Sequence, residues 1–595
     1  MVKTVSIQIN GVKIEACTDI TIVQAAKENG IYIPTLCYHT DLKPSGSCGI
    51  CVVEIEGRKN PERACTTKVA NGMVITTNNK RLRDTRKLIL EMILADHDTD
   101  CPACLANGKC ELQDLCDRMG VTTRSIPKKL KKLSIDETSV AIMRDPNKCI
   151  ACGRCLEVCA NIQTVNALTE IGRGHRVFIG TAGDAGMGAS PCVNCGQCTV
   201  FCPVGALTER SEIDMVWDAL LDPAKHVVVQ EAPSVRVALA EEFGMEKGLA
   251  TPGKMYAALR RLGFDKVFDT NFSADLTIME EGSELIHRAT NGGTLPLITS
   301  CSPGWIKFGE TFFPDLAAHV STCKSPQQMH GTLVKTYYAK TAGIDPNNIV
   351  SVSIMPCTAK KFEARRPEMR DSGFQDVDYV LTTREFVRMI READIDFKNL
   401  PEEKADSLMG DYTGAATIFG ATGGVMEAAV RSAFFLLTGE NLPAPELTVL
   451  RGVMNDIVEA TVEHPKLPFP IRVAVVNGLG NARKMLEKVK RQIAENGKSE
   501  YHFIEIMACP GGCVGGGGQP FGTSLVDRSI RAKGLYTEDA ALPLRYSHEN
   551  PMVQKIYESY LEKPNSGLAH KLLHTHYFER SQRDGAVVKE TTHNH

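Results

Sequence analysis

Cysteine carries the chemistry of this chain, and its spacing names that chemistry. Seventeen of the 22 cysteines fall within the first 202 residues. The densest stretch reads Cys149, Cys152, Cys155, Cys159, then Cys192, Cys195, Cys198, Cys202. Each half is a C-x2-C-x2-C-x3-C run, and the second is closed by Pro203. Three closely spaced thiolates in a turn hold three irons of a cubane. The fourth cysteine of each run reaches across to the other cluster, so two [4Fe–4S] centres share one small fold. Disulfides and zinc are the competing readings, and two complete runs in order speak against both. The first run departs from the usual pattern at Ala160, where proline is expected.

Two further sets precede this unit. Cys37, Cys48, Cys51 and Cys65 stand at C-x10-C-x2-C-x13-C, which suits a [2Fe–2S] cluster on loops. Zinc is the alternative there, because C-x2-C is common to both. Ser45-Gly46-Ser47-Cys48-Gly49 supplies small residues that let backbone N–H groups approach the sulfides. Next come His97, Cys101, Cys104 and Cys110, spaced H-x3-C-x2-C-x5-C, with Cys116 competing with His97 as fourth ligand of another [4Fe–4S] cluster.

The elements that must position these residues follow from periodicity. Val5, Ile7 and Ile9 alternate, Asn10-Gly11 turns, and Ile14 resumes the strand. A helix is expected over 21–29, and the 80–96 stretch has helical period with Leu88, Ile89, Met92 and Ile93 on one face. Residues 121–144 read as a polar linker carrying Lys128-Lys129-Leu130-Lys131-Lys132, a solvated connector rather than a docking patch. Beyond Glu212, short apolar strands alternate with helices at 227–229, 267–268, 295–298, 350–354, 379–381, 473–476 and 503–506, the rhythm of an α/β domain with mainly parallel sheets. Three of these strands run into cysteine-bearing loops: Thr299-Ser300-Cys301-Ser302-Pro303-Gly304-Trp305, Met355-Pro356-Cys357, and Met507-Ala508-Cys509-Pro510-Gly511-Gly512-Cys513. Strand C-terminal ends are where open α/β sheets place their sites. Gly515 to Gly518 lacks the lysine and hydroxyl of a phosphate loop and is expected to permit tight packing. Gly478-Leu479-Gly480 lacks a third glycine, so no NAD site is expected in this chain.

Composition sets the outer bounds. The 595 residues allow several domains at about 150 residues each. A formal charge of −3 gives no basis for a nucleic-acid or membrane-surface partner. No apolar run reaches about 18 residues. Met1-Val2-Lys3-Thr4 leads directly into a strand pattern without a signal peptide's apolar core. Thiolate-rich sites without such a signal point to the cytoplasm.

On Thr299 to Trp305, Met355-Pro356-Cys357-Thr358-Ala359-Lys360-Lys361 and Met507 to Cys513, the chain resembles the catalytic subunit of the [FeFe]-hydrogenases, in the larger form with accessory clusters. The resemblance spans residues 1 to about 580, and the first two modules also resemble a complex I subunit. It implies a multidomain α+β and α/β protein: a [2Fe–2S] β-grasp domain over 1–78, a His/Cys [4Fe–4S] domain over 79–120, the linker, a two-cluster ferredoxin-like domain over 145–210, a two-lobed α/β domain over 211–580, and a disordered polar tail over 581–595. It implies one [2Fe–2S] cluster, three accessory [4Fe–4S] clusters and an H-cluster, a cubane joined through cysteine to a di-iron unit bearing CO, cyanide and azadithiolate. Cys513 would bridge, Cys357 and Cys509 would hold the cubane, and Met355 and Met507 would pack beside the di-iron unit. Lys360, Pro233, Ser234 and Gln327 would hold cyanide.

Heterolysis of H2 would release a proton through Cys301, Glu281, Ser321 and Glu284, although Glu280-Glu281-Gly282-Ser283-Glu284 alone reads as an exposed acidic turn. Electrons would leave through the two cubanes towards the His97 cluster and the [2Fe–2S] centre. The family usually has two adjacent cysteines where this chain has Cys301-Ser302, so the fourth cubane ligand falls among Cys301, Ser302 and Cys323, with Cys301 favoured. The implied partners are H2, protons, ferredoxin, a flavin- and NADH-binding subunit and a small [2Fe–2S] subunit, in a hetero-oligomer that could bifurcate electrons. A non-catalytic electron-transfer or H2-sensing protein of the same fold is the alternative.

Overall fold

Alternating apolar residues build the first sheet. The computed structural model describes residues 4–121, 125–127, 132–452 and 457–591. Strands Thr4–Ile9 and Val12–Cys17 form a hairpin whose turn residues, Asn10 and Gly11, take φ of 50° and 86°. Positive φ at both positions is what a twist-matched two-residue turn requires, and Asn-Gly supplies it without strain. Val74–Thr76 lies parallel to the first strand, followed by Val52–Ile55 and Glu62–Arg63. Helix Ile22–Glu28 is capped by Thr21 and Gln24 in a reciprocal box and buries Ile22, Val23, Ala25 and Ala26 against Ile7, Ile9 and Val53.

Helix Lys80–Ala95 forms where expected but is rotated from the expected face. Leu82, Arg86 and Leu90 are buried, whereas Leu88 and Met92 are 52% and 51% exposed. Arg86 decides the rotation. Its guanidinium enters the interior and donates to the carbonyls of Ile50, Val52 and Thr77. A buried cation needs such acceptors, and turning the helix away would orphan them.

The next unit is held by the antiparallel pair Ile142–Arg144 and Leu207–Glu209 and by short helices Arg154–Glu157 and Gln197–Phe201. The expected linker therefore ends inside this unit, where Asp136 pairs with Arg144. The basic run over 128–132 lies outside the described residues, apart from Lys132.

Two four-stranded sheets form the remainder. One has the order Lys266–Val267, His226–Glu231, Ile349–Met355, Tyr379–Thr382, all parallel. The other runs Leu297–Ile298, Phe503–Met507, Ile471–Asn477, parallel, with Ile457–Val462 added antiparallel at its edge. That edge strand has no sharp sequence signal, because its exposed and half-buried residues alternate only weakly. The expected disorder of residues 581–595 does not hold over 587–591. Val587–Thr591 pairs with Tyr577–Arg580, and Thr591 Oγ1 donates to Tyr577 O at 2.7 Å, so backbone pairing offsets a polar composition. Among the described residues, no helix is long and apolar enough to cross a membrane.

Candidate active site

Each cysteine run of the two-cubane unit is split between two cavities. Cys149, Cys152 and Cys155 line one together with Cys202, and Cys192, Cys195 and Cys198 line the other together with Cys159. The exchange of fourth cysteines follows from the short helix inside each run, which points its last cysteine towards the neighbouring cavity. Burial pushes the Cys152 and Cys195 thiols up to about 12 and the Cys159 and Cys202 thiols to about 11. Four buried thiols round one void are poor hosts for protons and good hosts for iron, whose charge makes thiolates stable there.

The N-terminal sets gather in the same way. The Cys37 thiol sits within hydrogen-bonding reach of Cys48 and Cys65, and Cys51 within reach of Cys65. Cys101, Cys104 and Cys110 share a charge neighbourhood, and the buried His97 Nδ1 has no hydrogen-bond partner, the vacancy a metal ion would fill. Burial drives His97 down to about 4, which keeps the ring neutral and able to ligate. The thiol of Cys116 is pushed up to about 11, by burial first and then by Cys110 and Cys101, so it stands close to the same set.

These sets meet at the Cys202 cavity from two directions. A Cβ on Gly205 would stand 2.4 Å from Cys104 Sγ, and Ser45 Oγ donates to Cys152 O at 3.0 Å. Arg154 ties all three units, donating to both oxygens of Glu111 and to Tyr38 O. Sequence reasoning missed Arg154, which looks like an ordinary surface residue inside a cysteine run.

The second half of the chain converges on one cavity, with about 810 Å³ of space not filled by protein atoms in it and at its mouth. It is lined by Cys301, Ser302, Cys357, Cys509 and Cys513 from the three strand-end loops, and by Pro233, Ser234, Gln327, Met355, Lys360 and Met507. Every residue expected to touch the cofactor is therefore brought together. Cys323 is not: it is fully buried, with its thiol 3.7 Å from Glu284. Cys323 is thus not among the residues that line the cavity. Its chain segment instead pairs with His574.

Close backbone approach shapes the cavity floor. A Cβ on Gly516 would stand 2.1 Å from Pro356 O, and one on Gly517 would stand 2.3 Å from Cys195 O. The glycine run is thus a packing device, as expected. Gly480 serves the same end, meeting Ile162 O, while Gln163 donates to Ala508 O and accepts from Leu479 N. Cys195 lines this cavity and its neighbour at once, so the two sites share a wall.

Lys360 donates to Cys301 O at 3.1 Å and to Glu363 Oε2 at 2.8 Å. Glu363 in turn accepts from Ser325 and Gln327, and Ser353 donates to Gln327, which fixes the ammonium at the cavity wall. Glu363 was not foreseen, although its place three residues after Lys360 on helix Ala359–Ala364 is a readable signal. Ser302 Oγ accepts from Ala508 N at 3.1 Å, on the Cys509 side. Cys301 instead packs against the apolar cluster that contains Met507 and Phe419.

A line of buried polar groups leaves this cavity. Glu280, Glu281 and Glu284, on helix Thr270–Thr290, are 0%, 2% and 9% exposed, so the acidic turn is interior rather than a solvated face. Burial, then the charge of Glu284, pushes the Glu281 carboxyl up to about 8, and burial, then the charge of Glu281, holds the Cys301 thiol well above its usual range. Ser321 Oγ donates to Glu284 Oε2 at 2.7 Å and lies within reach of Glu281. Arg288, one turn further along the helix, donates to Glu284 Oε1 at 2.5 Å from the protein edge.

Five clusters of thiols, a cavity built from three strand ends and a buried acid chain define an iron–sulfur redox enzyme that handles protons. Comparison with known proteins gives the class. Residues 225–517 match the iron only hydrogenase large subunit, C-terminal domain, and residues 527–580 match the iron hydrogenase small subunit. Residues 2–80, 86–125 and 145–206 match a 2Fe-2S iron-sulfur cluster binding domain, the NADH-ubiquinone oxidoreductase-G iron-sulfur binding region and a 4Fe-4S dicluster domain. The chain is 47% identical over 578 residues to the NADP-reducing hydrogenase subunit HndD of Solidesulfovibrio fructosivorans, covering 94% of this chain and 97% of that one. It is 42% identical over 579 residues to iron hydrogenase 1 of Clostridium pasteurianum, covering 96% and 99%. A solved structure of the [FeFe]-hydrogenase HydA1 from Chlamydomonas reinhardtii superposes with a TM-score of 0.56 at 44% identity, covering 62% of this chain and 99% of that one. The chain belongs to the iron-only hydrogenases, as a catalytic subunit preceded by iron–sulfur domains.

Proposed function

We propose that the chain interconverts H2 with protons and electrons at an H-cluster seated in the cavity of the three strand-end loops. The convergence of Cys357, Cys509, Cys513, Lys360, Met355 and Met507 on that cavity carries the reading. When bound, the cofactor supplies a low-valent iron site for heterolysis of H2. Cys357, Cys509 and Cys513 supply its thiolates, and Ser302 stands at the fourth corner beside Cys509. Lys360, held by Glu363, offers its ammonium to an anionic ligand, with Ser234, Pro233 and Gln327 completing that wall. Met355 and Met507 exclude water with soft apolar contacts.

Cys301 heads the proton route. Its charge coupling to Glu281, with Ser302 Oγ held by Ala508 N beside Cys509, supports a carrier over a ligand. Glu281 accepts the proton and its raised pKa keeps it protonatable near neutral pH. Ser321 passes it to Glu284, and Arg288 marks the exit.

Cys159, Cys192, Cys195 and Cys198 would hold one cubane beside Cys509, and Cys149, Cys152, Cys155 and Cys202 would hold the next, and the two would carry electrons away from the cavity. At the Cys202 cavity the route would fork, with Gly205 against the His97 set and Ser45 on the [2Fe–2S] loop. The cofactor complement is one [2Fe–2S], three accessory [4Fe–4S] clusters and one H-cluster, in units spanning 1–78, 79–120, 145–210 and 211–580. The two ends of the fork fit a cytoplasmic hetero-oligomer with a flavin- and NADH-binding subunit, a small [2Fe–2S] subunit and ferredoxin. The name of the 47% identical relative, an NADP-reducing hydrogenase subunit, supports a nicotinamide-linked complex, in which two electron routes permit bifurcation.

Infrared spectroscopy of the matured protein should show CO and cyanide bands, and an H2 assay with an artificial dye should show turnover. Bands without turnover would favour H2 sensing. Absence of both from a protein carrying its accessory clusters would overturn the reading.

A further inference from the structure

The proton line does not end only at Arg288. Glu284 Oε1 also lies 3.4 Å from Thr322 Oγ1, and that hydroxyl lies 2.7 Å from His574 Nδ1. The other ring nitrogen of His574 lies 3.2 Å from Glu280 Oε2. Glu280 accepts from Tyr557 OH at 2.6 Å and from Asn565 N at 2.8 Å, so it sits in a donor-rich pocket suited to a carboxylate. Both His574 and Glu280 are buried, at 5% and 0% exposure, and neither lines the cofactor cavity. The ring stacks on the exposed His570 at 4.5 Å. Glu284, Cys323 and His574 bring a carboxylate, a thiol and an imidazole within 4.8 Å of one another. Their donor and acceptor sites are already engaged by Ser321, Arg288, Thr322 and Glu280, so the cluster is built for protons rather than for an ion.

We propose that His574 is a proton-holding side branch of the relay, exchanging a proton with Glu284 through the Thr322 hydroxyl and held in orientation by Glu280. The proposal rests on the relay reading given above. In the resting arrangement His574 carries its proton on Nε2, donates it to Glu280, and accepts from Thr322 at Nδ1. A protonated Glu284 then donates to Thr322 Oγ1 as the Thr322 proton passes to Nδ1. Glu284 becomes a carboxylate, Thr322 remains a hydroxyl, and His574 becomes an imidazolium beside Glu280. The reverse returns the proton when the relay must deliver one. The charged and titratable groups facing the ring are Glu280, Glu284, Tyr557, Cys323 and His570, and Arg288 balances Glu284.

The test uses the full-length matured enzyme, with H2 turnover measured from pH 6 to 9 beside infrared spectra. His574→Gln keeps a hydrogen-bonding side chain without a titrating one. It should retain the CO and cyanide bands, lower turnover by about 3- to 10-fold, less than the loss of a through-carrier, and remove one inflection from the pH profile. It should also shift the carboxyl stretching band that Glu284→Gln abolishes. Thr322→Val, which cuts the bridge but leaves the imidazole, should reproduce the changed profile and carries the test if His574→Gln loses its cofactor. Wild-type rates and profiles in both variants, with Glu284→Gln slow, would overturn the branch alone. A near-normal Glu284→Gln would overturn the relay and the branch with it.

Discussion

The electron-carrying region before residue 211 and the hydrogen-handling region after it are built by opposite strategies. In the first, most cysteines of each set are sequence neighbours, and the chain need only turn tightly for Cys149, Cys152 and Cys155 to face one void, with Cys202 joining them from the other run. In the second, Cys301, Cys357 and Cys509 are separated by dozens to hundreds of residues and meet because three strands end at one place. The first design is local, since short runs supply three of the four thiols at each cubane cavity. The second is tightly packed, since a Cβ on Gly516 or Gly517 would fall 2.1 or 2.3 Å from a neighbouring carbonyl oxygen, leaving no room for a single methyl group. The two designs are welded at Cys195, which lines a cavity of each.

Removing the N-terminal modules should break the comparison most sharply. A chain beginning at residue 132 keeps Asp136, the strand Ile142–Arg144 and both cubane cavities, but loses the [2Fe–2S] and His97 sites. Dye-driven H2 turnover should survive, coupling to a nicotinamide-linked partner complex should vanish, and iron content should fall from about 20 to about 14 per chain. Coupled rates that persist in the reconstituted complex would place electron exit elsewhere. The cut also removes Tyr38 and Glu111, both partners of Arg154, so some loss of thermal stability is expected beside the retained activity.

The same contrast explains what could be read in advance. The gathering of the cysteines of the two-cubane unit was legible because their spacing is local, and helix Ile22–Glu28 because its cap and period agree. The strand-end loops were legible as a pattern, yet the places of Cys301 and Cys323 were not, because spacing does not say that Cys301 lines the cavity while Cys323, 22 positions on, lies with its thiol 3.7 Å from Glu284. Burial of Glu280 and Glu281 could not be inferred from an acidic pentapeptide. It depends on Tyr557, Asn565 and His574 arriving from nearly 300 residues away. The exposed Leu88 and Met92 failed for a related reason, since a single buried arginine overrode the apolar stripe.

Cys301 tests the tightly packed region itself. A soft thiolate is the better cubane ligand, which favoured Cys301 on chemistry alone. We nonetheless favour the proton route for it, because Ser302 Oγ already accepts from Ala508 N beside Cys509 while Cys301 packs against the cluster that holds Met507 and Phe419. Cys301→Ala should therefore keep the infrared bands and lose about 10²-fold or more in turnover. Loss of the bands would instead make Cys301 the fourth ligand. Ser302→Cys should keep the bands and shift the reduction potential of the adjoining cubane, as exchange of an oxygen ligand for sulfur requires.

The smallest effect is thermodynamic and lies with Glu281. Its folded-state pKa is about 8 against an ordinary 4.5, raised chiefly by burial and secondly by Glu284. The folded state thus binds this proton more tightly than the unfolded chain does. Its contribution is fully present below about pH 4.5 and is lost as the pH rises towards about 8, because the unfolded carboxyl ionises freely while the buried one resists. Glutamine has nothing to ionise. The thermal midpoint of Glu281→Gln minus that of the wild type, measured anaerobically on matured protein, should therefore widen between pH 5 and 8 and level off above, by the equivalent of a few kcal/mol at most. Parallel curves across that window would mean that Glu281 is already ionised in the folded protein. A carboxylate there could accept a proton from Cys301 only transiently, and a storage role near neutral pH would be lost. A widening difference, together with slowed turnover, would show that one buried carboxyl lowers stability at the pH where it serves the relay.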